Sequence, residues 1–470
     1  MSLNQLNKVR DYVNKKNLLK EGETVIAAVS GGPDSLTLLH MLRCLSSELN
    51  LNIVVAHLNH CLRPEADREE AEVEKIASRW SLTFESRVVA IRDLKKEEGI
   101  SEEEAGRLAR YSFLSEIAKK YNASRIALGH HLDDQAETVL LNIIRGTGVD
   151  GLAGILPKTK RGGLLLIRPL LCLKRCEIEN YCWQNNLYPL TDSSNLETNY
   201  TRNKMRLELI PQLEEQYNPR VREALSGLAE LAASDRYFLN NLAKKKYFEM
   251  ARFGKNETNI NRHKLISLSP ALSSRILRIA VKKYVTSKQL GRQHVKQVLD
   301  LAESGKTGGQ VTLPGGACVY LSYNDLIIMQ AAFQKQEKFE EIKLNLPGKT
   351  FLPGGASITA RILNVKDLVW SPSKYRAYLD YDRLPPGHLM ARSRWPGAVF
   401  HPHGSAGSKK LKSFLIDQKV PFSRRDNLPL VTIQDKVLWV TGIRIAHPYR
   451  ISDQTKRVLL LEYKKLRLPK

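Results

Sequence analysis

Short apolar runs and amphipathic stretches alternate through the first third of the chain. Thr24-Val25-Ile26-Ala27-Ala28-Val29 runs into Ser30-Gly31-Gly32, and a short continuous apolar run closed by a glycine turn predicts a strand buried on both faces. A 3.6-residue period over 35–49 predicts a helix. The alternation then repeats, with strands over 52–57, 83–89 and 125–129 and helices over 65–80, 102–120 and 133–145. This order predicts an α/β fold with a doubly wound parallel sheet, whose ligand sits beyond the C-terminal ends of the strands. Past Leu171 the pattern changes: residues 203–301 are rich in helix formers at a helical period, which predicts an all-helical stretch. From about residue 310, short β-type runs are punctuated by Leu313-Pro314-Gly315-Gly316, Leu346-Pro347-Gly348 and Leu352-Pro353-Gly354-Gly355, which predict hairpin turns rather than a solenoid. The last unit, about 387–468, combines a helix over 409–418 with strands over 431–433, 437–442 and 458–463, a small α+β domain. Four segments result: 1–210, doubly wound; 211–330, a mainly helical middle domain with short strands at its end; 331–384, a β-rich connecting segment; and 385–470, a basic α+β domain.

Composition narrows the class. A chain of 470 residues exceeds one ordinary core, and its 42% hydrophobic and 26% charged residues, without an apolar run near 18, exclude a membrane-spanning helix. Met1-Ser2-Leu3-Asn4-Gln5 enters an amphipathic helix and lacks a secretory pattern. Six cysteines with no C-x-x-C pair argue against a disulfide scaffold or a four-thiolate zinc site. A cytoplasmic protein is expected. The net charge of +24 points to a polyanionic partner, nucleic acid foremost, although a generally basic surface would give the same total. Residues 385–470 hold 17 Lys and Arg against 5 Asp and Glu, half of that excess in under a fifth of the chain.

Candidate chemistry begins at Ser30-Gly31-Gly32-Pro33-Asp34-Ser35, between the first strand and the next helix. A glycine pair lets backbone N–H groups approach phosphate oxygens, and the following helix N-terminus favours negative charge. Ser30 and Ser35 add hydroxyls, while Asp34 would repel a phosphate unless a divalent cation stood between them, so the loop predicts a Mg²⁺-nucleotide site. It is not a Walker loop, for Gly305-Lys306-Thr307 and Gly348-Lys349-Thr350 lack the required upstream glycine. Alone, the same turn could be merely structural.

Gly129-His130-His131-Leu132-Asp133-Asp134-Gln135-Ala136-Glu137 follows a later strand and opens a helix. Asp134 and Glu137, three residues apart, share a face that could orient a metal, and Asp133 is placed to cap the helix. The plainer reading is that all three acids only satisfy the positive helix end. His130 and His131 could contact phosphate or act as acid-base groups, whereas zinc lacks a third ligand at suitable spacing. His57, His60 and Arg63 follow the second strand, and Glu103 shares a helix with Arg107, Arg110 and Tyr111. Arg63 and Arg107 suit a phosphate or an acceptor nucleotide, or equally a solvated surface.

The run Ser30-Gly31-Gly32-Pro33-Asp34-Ser35 resembles the fingerprint of the PP-loop, or N-type ATP pyrophosphatase, family at all its fixed positions. That resemblance implies ATP cleavage between the α- and β-phosphates and adenylation of a carbonyl oxygen, with ATP and Mg²⁺ bound at Ser30, Gly31, Gly32, Pro33, Asp34, Ser35, His57 and Arg63. The segments 129–154, 168–171, 192–195, 200–206, 392–394, 409–412 and 439–442 are similar to the lysidine-forming tRNA ligases of that family, over essentially the whole chain. The implied substrates are free L-lysine and an isoleucine tRNA with a CAU anticodon, whose wobble cytidine is adenylated at its C2 oxygen before the lysine amine displaces AMP. On this reading 1–210 is catalytic, while 211–330 and 385–470 bind tRNA. Asp34 and Asp134 position metal and substrate, and Arg202 or Arg206 meets the activated nucleotide. His60, Glu103, Arg107, His130, His131 and Glu137 face lysine or cytidine. A homodimer is compatible with the long helical stretch. One departure is Ala398-Val399, where those ligases usually carry an acidic and a basic residue.

Two other readings remain open in the sequence. A tRNA thiolase on the same scaffold would need a cysteine pair or trio; Cys172, Cys176 and Cys182 come nearest, although burial on a helix face explains at least two of them. A non-catalytic, nucleotide-switched RNA-binding protein would need the phosphate loop and basic tail but not the acids and histidines.

Overall fold

The computed structural model describes residues 2–61, 66–190, 201–254, 256–285, 290–330, 339–405, 407–420 and 425–465, and divides the chain into units of residues 1–238 and 239–470. In the first unit the chain runs through α1 (Ser2–Lys16), β1 (Thr24–Ala28), α2 (Pro33–Leu49), β2 (Asn52–Asn59), α3 (Ala66–Arg79), β3 (Thr83–Val88), α4 (Ile91–Glu98) and α5 (Glu102–Lys120). It continues through β4 (Arg125–Ala127), α6 (Leu132–Ile144), α7 (Val149–Leu152), β5 (Lys158–Arg161), β6 (Leu164–Ile167), α8 (Arg175–Gln184) and α9 (Thr201–Lys204). A π-helical turn at Met205–Leu209 leads into α10 (Ile210–Gln216), and α11 (Val221–Met250) runs on into the second unit.

The sheet order is β3-β2-β1-β4-β6-β5, parallel throughout except that β5 pairs antiparallel with β6. Both faces are covered, which is why the strands read as continuous apolar runs. Val25 and Ala27 of β1 and Ile53 and Val55 of β2 pack with α1, α2, α3 and α8 through Val9, Leu38, Leu42, Val73 and Ile178. The intervening Ile26, Val54 and Ala56 point the other way, onto Phe113, Leu114 and Ile117 of α5, as the two-residue period of a strand requires. From β1 the chain steps outward to β2 and β3 and then returns to the other side of β1 as β4. The strand order therefore reverses between β1 and β4, where open α/β sheets bind their ligands.

The second unit holds β7 (Ala251–Phe253), β8 (Glu257–Asn261), α12 (Arg262–Ile266), α13 (Pro270–Lys282), α14 (Arg292–Ser304), β9 (Gln310–Thr312), β10 (Ala317–Ser322) and β11 (Asp325–Gln330). Its strands form a sheet in the order β7-β8-β11-β10-β9, and Ile276, Leu277 and Val298 from the helices pack on Ile260, Val319 and Ile328. Then follow β12 (Ile342–Lys343), β13 (Gly348–Phe351), β14 (Ala356–Asn364), β15 (Arg376–Asp380), β16 (Leu389–Arg392), β17 (Val399–Phe400), β18 (Lys409–Lys410) and α15 (Leu411–Asp417). The last strands are β19 (Leu430–Ile433), β20 (Lys436–Val440), β21 (Arg444–Ile445) and β22 (Arg457–Lys465). They form antiparallel sheets in the orders β12-β16-β19-β20-β21 and β13-β14-β22-β15, with a separate β17-β18 pair.

Three features differ from the expectation. The stretch 203–301 contains β7 and β8, because Thr258 and Ile260 are buried between the half-exposed Glu257, Asn259 and Asn261; a polar strand with one apolar side chain gives little β signal. Among the Leu-Pro-Gly turns, those at 313–316 and 352–355 close the hairpins β9-β10 and β13-β14, with Gly315 and Gly354 at φ 75° and 76°, whereas that at 346–348 links strands of two different sheets. Finally, β22 inserts between β14 and β15, so the expected connecting segment 331–384 shares a sheet with the end of the chain. Among the described residues no helix is long and apolar enough to cross a membrane.

Candidate active site

Two loops meet where the strand order reverses. In the loop after β1, Gly31 takes φ +89° and the Ser30 N–H donates to Ser35 Oγ at 3.1 Å, while Ser35 Oγ donates to the Gly32 carbonyl at 2.9 Å. α2 then starts at Pro33 with Gly32 as its N-cap and no side chain capping it, so its first N–H groups stay available to an anion. The loop after β4 passes so close that a Cβ on Gly129 would lie 3.2 Å from the backbone carbon and oxygen of Asp34. That approach brings the start of α6 against the start of α2.

His131 lies at the centre, 2% exposed. Its Nε2 is 3.7 Å from Asp34 and 3.5 Å from Asp134, and its Nδ1 is 3.5 Å from Asp133, ion-pair distances rather than formed hydrogen bonds. Arginines enclose the acids. Arg175 donates from one nitrogen to both Asp34 oxygens at 2.8 and 2.7 Å. Arg202 donates to Glu137 and Asp134, each at 2.8 Å, and Arg206 donates to Glu137 at 2.6 Å and to Asp134 at 3.3 Å. Asp133 accepts from the Arg175 N–H and from Arg222, both at 2.8 Å.

The electrostatics follow from this enclosure. Burial raises the Asp34 carboxyl above the usual range, although His131 and Arg175 oppose it. Burial also works against an ionised Asp134, but His131 and Arg202 outweigh it and hold that carboxyl low. Asp133, likewise penalised by burial, is pulled down to about 2 by His131, the Arg175 N–H and Arg222. Burial opposes charge on His131, yet its three carboxylate neighbours raise its pKa. The neighbouring His130 goes the other way, to about 4, through burial with Arg168 and Arg202 adding to it. The protonated form is thus favoured on one imidazole and disfavoured on the next.

The structure brings Asp34, Asp134, Arg202, Arg206, His131 and Glu137 into one cluster beside the Ser30–Ser35 loop. His57, buried at the end of β2, is held by the Val29 carbonyl at 2.9 Å, so it braces that loop from behind. His60 follows β2, and Arg107 is exposed on α5 and joins none of these contacts. Arg63 lies outside the described residues, as does the 192–195 segment; Glu103 falls in α5, its side chain outside the description. Two arginines of this cluster had no signal of their own in the sequence motifs, Arg175 and Arg222. Both stand in the first turn of a helix, α8 and α11, where a cation opposes the macrodipole, and that misplacement was the available signal.

Asp34 and Asp134, in the first turns of α2 and α6, converge on His131 Nε2. Hard oxygen donors in that number suit a Mg²⁺ that arrives with phosphate, since Mg²⁺ usually takes one or two carboxylates and completes its shell from substrate and water. Among the described residues no three His, Cys, Asp or Glu side chains are disposed to hold a metal unaided. The three cysteines are not assembled as a cluster site. Cys182 is buried 3.1 Å from Thr37 Oγ1, Cys172 donates to the Pro169 carbonyl at 3.7 Å, and Cys176 is exposed.

A parallel sheet with a Ser-Gly-Gly loop and an acidic helix at its reversal point defines a PP-loop domain, and residues 2–213 match the family model of that description. Residues 389–461 match the model described as TilS substrate C-terminal domain. The chain is 35% identical over 460 residues to tRNA(Ile)-lysidine synthase of Clostridium tetani, covering 97% of each chain. It is 35% identical over 464 residues to tRNA(Ile)-lysidine synthase of Caldanaerobacter subterraneus, covering 98% of each, and 36% identical over 456 residues to that of Symbiobacterium thermophilum, covering 93% of each. The chain belongs to the tRNA(Ile)-lysidine synthase family.

Proposed function

We propose that this enzyme uses ATP to join free L-lysine to C2 of the wobble cytidine in an isoleucine tRNA with a CAU anticodon. The cytidine C2 oxygen attacks the α-phosphorus and diphosphate leaves. The lysine side-chain amine then attacks C2, and AMP departs with the original oxygen. The observation that carries this reading is the buried pair Asp134 and Glu137, 9% and 1% exposed, each held by Arg202 and Arg206. Stripping a buried carboxylate of its partners costs about 3–5 kcal/mol, so the arginines leave only as another cation arrives. An anionic nucleotide draws Arg202 and Arg206 to phosphate, and the lysine ammonium takes their place on Glu137.

The Ser30–Ser35 N–H groups and hydroxyls bind the ATP phosphates. Mg²⁺, bound through Asp34 and Asp134, would neutralise charge on the leaving diphosphate. Arg175 shields Asp34 until the nucleotide enters. The neutral His130 presents a hydrogen-bonding ring to the base without adding charge. Basic residues of the second unit hold the RNA, and a cytoplasmic setting fits these substrates.

The test is transfer of labelled lysine into an isoleucine tRNA transcript in the presence of ATP, with a methionine tRNA as control. Label enters only the isoleucine tRNA, and Asp34→Ala and Asp134→Ala each lower the rate at least about 100-fold, within the range for losing one electrostatic group in a catalytic site. Full activity in both folded variants would remove these residues from the mechanism.

A further inference from the structure

Three histidines of the C-terminal region form a ring stack that the proposed chemistry does not use. Pro402 and Ala446 pair as an isolated antiparallel bridge, which sets His401 across from His447 and places His403 on the diagonal. The His447 N–H donates to the His401 carbonyl at 2.8 Å and the His403 N–H to the Ile445 carbonyl at 2.9 Å, fixing this register. The His401 and His447 rings lie 5.0 Å apart at 18°, and those of His403 and His447 5.7 Å apart at 25°. His447 is therefore the middle ring and His403, which is exposed, an outer one.

Hydrogen bonding defines the state of the stack. Arg450 donates to His447 Nε2 at 2.9 Å; arginine has no acceptor, so that nitrogen carries no proton and the middle ring is neutral. His401 Nε2 lies 3.0 Å from the Ser405 carbonyl and must donate to it. His447 Nδ1 is buried without a partner, but the rings lie nearly parallel, and among the described residues no three His, Cys, Asp or Glu side chains are disposed to hold a metal ion. What the rings offer is a flat aromatic face on His403, beside Arg444, whose guanidinium reaches the His403 carbonyl at 3.3 Å, while Arg450 holds the middle ring and the His447 carbonyl. The exposed Lys410 and Lys412 lie just beyond the loop that carries His401 and His403.

We propose that the His401-His447-His403 stack, braced by Arg450, is a platform on which one unpaired base of the RNA substrate stacks against His403, with a flanking phosphate on Arg444. A stacked base with an arginine at its edge is the usual means of holding a single-stranded nucleotide, and the +12 excess of residues 385–470 supplies the matching field. The inference rests on the tRNA reading above.

The experiment is fluorescence anisotropy of labelled isoleucine tRNA transcript with the full chain across a salt titration. His403→Ala and His403→Leu lower affinity by about 5- to 150-fold, the worth of one stacked base, while leaving the slope of log affinity against log salt unchanged. His403→Tyr restores the affinity. Arg444→Ala reduces that slope by about one phosphate contact. Parental affinity in a folded His403→Ala, or equal loss in His403→Tyr, overturns the platform and leaves the ligase reading intact. Zinc binding that His403→Ala abolishes, with RNA affinity unaltered, overturns it in favour of a metal site. Wild-type protein that binds no tRNA at all defeats the reading beneath it.

Discussion

Asp133 joins three helices beside Asp134, the carboxylate proposed for the chemistry. It accepts from Arg222 and the Arg175 N–H, and so ties the start of α6 to α8 and α11. Its pKa falls from 3.8 to about 2 in the folded chain. A depressed carboxyl adds stability that is fully present above the unfolded value and is lost as pH falls through the folded one. Asp133→Asn should therefore lower stability by about 2 kcal/mol at neutral pH, and the difference from the parent should close between about pH 4 and pH 2 in denaturant titrations; a constant difference across that range would place the cost in packing instead. The sequence placed Asp133 at the helix cap, but its carboxylate turns instead to the Arg175 N–H and Arg222. Asp134 accepts the His131 N–H at 3.0 Å and so caps α6 itself, and the arginine partners divide the two further; these come from residues 175, 202, 206 and 222, which no local pattern links to residue 134.

Elements were more legible than contacts. Strands β1 to β4 and helices α2, α3, α5 and α6 fall within a few residues of their expected ends, because buried strands and amphipathic helices carry their own periods, whereas β5 and β6 of the same sheet were not foreseen. The eight-residue α4, largely charged, was not foreseen, nor was the polar strand β8. The meeting of the two loops was equally hidden, since it depends on a glycine whose reason is a neighbour 95 positions away. Gly129→Ala would press its Cβ to 3.2 Å from the Asp34 backbone, where no flexible side chain can yield. We expect a loss of about 1–3 kcal/mol together with a raised KM for ATP, as the loops separate and Asp34 shifts. Parental stability and KM in that variant would mean that the approach of the loops is not required.

At the scale of the whole molecule, charge is the property the sequence displayed most openly. A chain of +24 that holds RNA by its phosphates should lose tRNA affinity steeply and linearly in log salt, and a flat titration would leave the basic excess without its partner. Sequence alone suggested cutting at residue 385 to isolate the basic end. The pairing of β22 between β14 and β15 makes that cut remove an inner strand of the sheet, so a truncation that tests RNA binding should begin before β12. The nucleophile is the one choice that neither charge nor fold dictates, and it separates lysine transfer from sulfur transfer on the same scaffold. Mass spectrometry of the anticodon fragment, after incubating the transcript with enzyme, ATP and lysine, decides it directly. The wobble cytidine should gain the mass of lysine less water, only when lysine and ATP are both present. An unmodified cytidine, or one in which sulfur replaces oxygen, would contradict lysine transfer.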